Sequence, residues 1–89
     1  MTLHLQEKPA VRRRDLTLEA LRTLVNRALA TRTECEGIHI RRIIVTEPDA
    51  SGCNWEVEWP VFRPANTDPC HSQMRELIAH LRLRFNVGR

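Results

Sequence analysis

The sequence predicts an α+β fold: a small two-layer αββα domain in which two helices pack on one face of an antiparallel β-hairpin. Three patterns carry this expectation. Trp55-Glu56-Val57-Glu58-Trp59 alternates apolar and acidic residues with the period of two of a strand that has one wet face. Cys70, Met74, Leu77, Ile78, Leu81 and Phe85 recur at helical spacing behind Asp68-Pro69. Between Ile38 and Thr46 the chain is rich in Ile and Val, the β-branched residues that fit a pleated surface.

Each element has its own signals. The first helix is expected to start at Thr17, whose hydroxyl can cap it, with Glu19 favouring the positive end of the helix dipole. Leu16 and Leu21 fit a hydrophobic staple, and Leu18, Leu21, Leu24, Val25, Ala28 and Leu29 form the apolar stripe. The helix fades near Thr33, and Gly37 can reverse the chain. The strand Ile38 to Thr46 changes parity: Ile38 and Ile40 share one face, Ile43 and Val45 the other. A bulge at Arg41-Arg42 would bring all four to one side. Residues 47–52 supply turn chemistry, and Cys53 to Trp59 is the return strand. Pro60 and Pro64 end the sheet pairing. Asp68 caps the second helix and Pro69 occupies its first position, with the helix running to about Phe85. Residues 1–14 are expected to be a flexible basic tail, although Thr2 to Leu5 alternates enough to add a strand, and residues 15–89 form the single domain.

Charge is distributed unevenly. Residues 1–32 carry seven bases against three acids, residues 33–68 three against seven, and residues 69–89 four against one. The formal net charge is +3, and the basic ends include the triplet Arg12-Arg13-Arg14. No apolar run approaches the ~20 residues needed to cross a bilayer, so no membrane association is expected. Cysteines at 35, 53 and 70 are odd in number and irregularly spaced. They are read as unpaired thiols, which places the protein in the reducing cytoplasm.

Few residues point to chemistry. Cys70-His71 stands at a helix start, where a thiol's pKa falls, but neighbours on a helix diverge by about 100°, so His71 is badly placed as its base. Glu56 and Glu58 share a strand face and form the other enzymatic pair, with the solvated face of a sheet as the simpler account. Cys35, His39, Cys53, Cys70 and His71 lack paired-ligand spacing, so neither a metal nor another cofactor is expected.

The function expected is therefore that of a non-catalytic protein-interaction domain that forms a homodimer. A two-stranded sheet leaves open edges, and a second copy can complete a larger sheet. Ile44, Trp59 and Phe62 are the candidate partner contacts. The alternative is a nucleic-acid-binding accessory protein that contacts phosphates through Arg12, Arg13 and Arg14. A small enzyme built on Cys70 or on Glu56 and Glu58 is the second alternative.

Overall fold

The computed structural model describes residues 12–62 and 68–88. Their element order is β1 (Arg14–Leu16), α1 (Leu18–Ala30), a 3₁₀ turn (Thr33–Cys35), β2 (Ile43–Val45), β3 (Trp55–Val57), α2 (Pro69–Arg84) and β4 (Phe85–Val87). The fold is α+β, as the sequence predicts. The helices and the hairpin of β2 and β3 are joined by a second sheet, the parallel pair of β1 and β4. The first eleven residues of the expected tail, with the alternating Thr2 to Leu5, lie outside the described residues.

Both helix starts follow from their caps. The Thr17 hydroxyl accepts the Ala20 N–H at 3.0 Å, and the Asp68 carboxylate accepts the Cys70 N–H at 2.8 Å ahead of Pro69. Leu21, Val25 and Leu29 of α1 and Met74, Leu77, Ile78 and Leu81 of α2 are buried with Ile43, Trp55 and Val57 in one core. At roughly 2 kcal/mol for each fully buried large apolar side chain, this core is the main stabilising feature.

The ends of the chain depart from expectation. The helix predicted to reach Phe85 stops at Arg84, because Phe85-Asn86-Val87 takes up extended backbone beside Arg14-Asp15-Leu16. The pairing begins inside the predicted tail, so the folded part extends back through Arg14 to Arg13. Arg13 donates to the Arg82 carbonyl at 2.9 Å and to the Ser51 carbonyl at 2.8 Å.

The first hairpin strand is shorter than predicted. Residues 38–42 are irregular, so the parity change between Ile40 and Ile43 is resolved without a bulge in a ladder. Ile40 is held by the Asn26 carboxamide, which accepts the Ile40 N–H at 2.6 Å and donates to its carbonyl at 3.0 Å. Ile40 and Ile43 are both buried, while Val45, expected to face inward, is 42% exposed near the end of the hairpin. In β3 the alternation holds: Trp55 and Val57 are buried, and Glu56 and Glu58 face outward.

The reading of the cysteines as unpaired is corrected. Cys35 and Cys70 form a disulfide that ties the 3₁₀ turn to the first turn of α2, with Cα atoms 4.8 Å apart; Cys53 is free and buried. The spacing of 35 residues hides this pairing, because only the folded chain brings η-turn and helix together. The cysteine argument for a reducing compartment falls with it.

Candidate functional site

The enzymatic candidates are each engaged structurally. Cys70 is in the disulfide. Glu56 accepts the N–H of Val57 at 3.0 Å and lies 4.0 Å from Arg82, while Glu58 pairs with Arg42 at 3.5 Å. Among the described residues, no three His, Cys, Asp or Glu side chains converge to hold a metal ion.

The candidate partner residues separate. Trp59 is 38% exposed, with its ring 5.9 Å from that of His71. Phe62 is buried, edge-on to the same imidazole at 5.3 Å, because the chain after Pro60 folds back towards the start of α2. It therefore belongs to the core and not to an exposed patch. Val61, between them, is 77% exposed. Trp59 also borders a groove of about 570 Å³ with Glu56 and, from α2, Ser72, Arg75, Ala79 and Arg82.

Ile44 lies on β2, 39% exposed, opposite Glu56. The bonds from Glu58 N–H to the Arg42 carbonyl (3.0 Å) and from Thr46 N–H to the Asn54 carbonyl (2.8 Å) show which residues of this strand face β3. In an antiparallel ladder these alternate, so the N–H and C=O groups of Ile43 and Val45 point to the outer edge. Among the described residues, none bonds to them. The opposite edge of β3 is closed: Arg82 donates to the Trp55 carbonyl at 3.0 Å, and the Glu56 carboxylate takes the Val57 N–H.

The three arginines of the triplet also separate. Arg13 turns inward to the Arg82 and Ser51 carbonyls, so its role is structural. Arg12 and Arg14 stay exposed and share a concavity with Arg84 and Phe85. Sequence reading missed this grouping because Phe85 was counted as the end of the helix that in fact closes at Arg84. The apolar–polar–apolar step of Phe85-Asn86-Val87 was the available signal for a strand.

Asn54 was also missed. It is buried, and its carboxamide accepts the Val87 N–H at 2.9 Å and donates to the Val87 carbonyl at 2.9 Å. Asn86 reciprocates, accepting the Asn54 N–H and donating to the Gly52 carbonyl, and the Trp55 indole donates to the Phe85 carbonyl at 2.8 Å. These side chains stitch the two sheets together. No family model, curated protein or solved structure matches this chain.

Proposed function

We propose that this chain is a non-catalytic interaction domain that acts as a homodimer, joined through the outer edges of β2. The observation that carries this reading is the contrast between the two hairpin edges: the β3 edge is closed by side chains, and the β2 edge offers unpaired groups at Ile43 and Val45. Such an edge is a template for another strand.

A two-fold axis at Ile44 gives a self-consistent pairing. Ile43 then lies opposite the partner's Val45 and exchanges both main-chain bonds with it, as an antiparallel ladder requires. Ile44 meets its own counterpart on the outer face. In the same register the exposed Arg41 stands opposite the partner's exposed Glu47, and the pair occurs twice by symmetry. The product is a continuous four-stranded sheet. The membrane side of the reading rests on one fact: among the described residues no helix is long and apolar enough to cross a bilayer. The Cys35–Cys70 disulfide favours an oxidising compartment over the cytoplasm.

Sedimentation equilibrium of the full chain at tens of micromolar tests the assembly. A dimer is expected, and Val45→Pro and Ile44→Lys should each return it to a monomer with the native circular dichroism. The Val45 N–H is not used in pairing with β3, so proline there removes an edge donor without breaking the hairpin. A wild-type monomer at that concentration refutes the dimer. A dimer that survives both substitutions but dissociates in Trp59→Ala refutes the β2 contact and assigns the interface to Trp59.

A further inference from the structure

We propose that Arg12, Arg14, Arg27 and Arg84, arranged around Phe85, form a binding cleft for single-stranded nucleic acid. The proposal is independent of the β2 interface, which lies on the other sheet.

The fold collects these residues from three separate places. Parallel pairing sets Arg14 directly opposite Phe85, the first residue of β4. Arg84, the last residue of α2, immediately precedes Phe85, and Arg12 leads into β1. Arg14, Arg84 and Phe85 line a concavity of about 420 Å³ together with Arg12. Arg14 and Phe85 also border a second one of about 290 Å³, whose other wall is Leu16, Thr23, Leu24 and Arg27. Arg14 and Phe85 belong to the linings of both hollows, so the two adjoin, and Leu16 and Leu24 add apolar surface to the smaller one.

The arrangement sets this cluster apart. Arg22, Arg42 and Arg82 each have a carboxylate within 4.0 Å. Among the described residues Arg12, Arg14, Arg27 and Arg84 have none, and all four are exposed. Arg13, Arg32, Arg41 and Arg75 also lack a carboxylate partner among the described residues, but the four here line two concavities that share Arg14 and Phe85. Like charges gathered without a counter-charge repel one another, and an anionic ligand relieves that repulsion. Guanidinium groups match phosphate oxygens bidentately.

The aromatic and apolar lining narrows the class. Phe85 is half-buried and packs against the core, and it shares the lining of the smaller hollow with Leu16 and Leu24. A duplex keeps its base faces stacked inside and gains no stacking from such a floor. A single strand offers phosphates and unstacked base faces together, and a base on an aromatic ring is the usual second contact of such sites. The guanidinium groups are assigned to phosphates and the aromatic ring to base faces, neither of which differs between sequences, so binding is expected to be blind to sequence.

The test is fluorescence anisotropy of the full chain with a fluorescein-labelled single-stranded DNA of mixed sequence across a potassium chloride series. Four phosphate contacts predict that log K falls against log salt with a slope of about 3, from ~0.7 per contact on a single strand. Arg14→Ala combined with Arg84→Ala should weaken binding at least tenfold and lower the slope by about 1.4. Phe85→Leu should weaken binding severalfold and leave the slope unchanged, which separates stacking from charge. Arg75→Ala removes one charge from the other groove and should leave the affinity within twofold, against a severalfold loss for Arg14→Ala alone, with circular dichroism confirming that every variant is folded. No binding at low salt, an equal loss in Arg75→Ala, or equally tight binding of the matching duplex or of poly-glutamate would each overturn the proposal.

Discussion

Two asparagine side chains do the work of missing backbone. Asn54 and Asn26 each present a carboxamide to the N–H and C=O of one buried residue, Val87 and Ile40 respectively, as a neighbouring strand would. This explains how four three-residue strands hold a core that strand length alone would leave poorly specified. Replacing Asn54 by Leu keeps the volume close but leaves the Val87 N–H and carbonyl buried and unpaired. The expected loss is about 2–4 kcal/mol, measured by urea unfolding. A loss below about 0.5 kcal/mol would show that water replaces the carboxamide without cost. Nothing in the sequence marks Asn54 as buried: in the return strand it shares the parity of Glu56 and Glu58, the wet face, and its partner is supplied by a strand that the helical spacing of Phe85 conceals.

At the scale of elements, the hairpin turn is held to α2 by one carboxylate. Asp49 accepts from the Ser51 hydroxyl, from the N–H groups of Ser51 and Cys53, and from Arg82 at 2.8 Å. The Ser51 hydroxyl is the largest of these influences, and together they hold the Asp49 carboxyl well below the usual carboxylate range. A carboxylate with a depressed pKa stabilises the fold above its unfolded value near 4, and that contribution fades as the pH falls below it. Asp49→Asn is therefore expected to lower Tm at pH 7 and to flatten its decline between about pH 5 and pH 2 relative to the native chain. Parallel Tm profiles for the two proteins would contradict this role. The turn itself was legible in Glu47 to Gly52, and so were both helix caps and the inward face of Trp55 and Val57, because each depends on neighbours in sequence. The limits of β2, the outward turn of Val45 and all of β4 depend on partners distant in sequence and were not.

For the whole molecule, the disulfide joins elements that otherwise meet only through packing. Closing a loop of 35 residues is worth about 3–4 kcal/mol in the chain-entropy account. Reduction, or the double substitution Cys35→Ser and Cys70→Ser, should lower the urea midpoint accordingly while Cys53→Ser leaves the covalent link in place. Alkylation of freshly lysed cells with a mass-shifting maleimide reports the state in vivo: one accessible thiol after denaturation indicates the disulfide, and three indicate the reduced chain. A reduced chain as stable as the oxidised one would show that packing alone holds the 3₁₀ turn to α2. Cysteine number and spacing concealed this bond, since an odd count leaves open which thiol is spare.

The pairing of β1 with β4 carries a consequence for how the protein is made. Arg14 emerges from the ribosome early and Phe85 late, and at ~5–20 residues per second the interval between them is several seconds. For most of that time the first strand has no partner, and Cys35 waits likewise, because Cys70 is made only shortly before Phe85. Synthesis thus brings both long-range links within reach in a fixed order, covalent closure first and the pairing of the two outer strands after it.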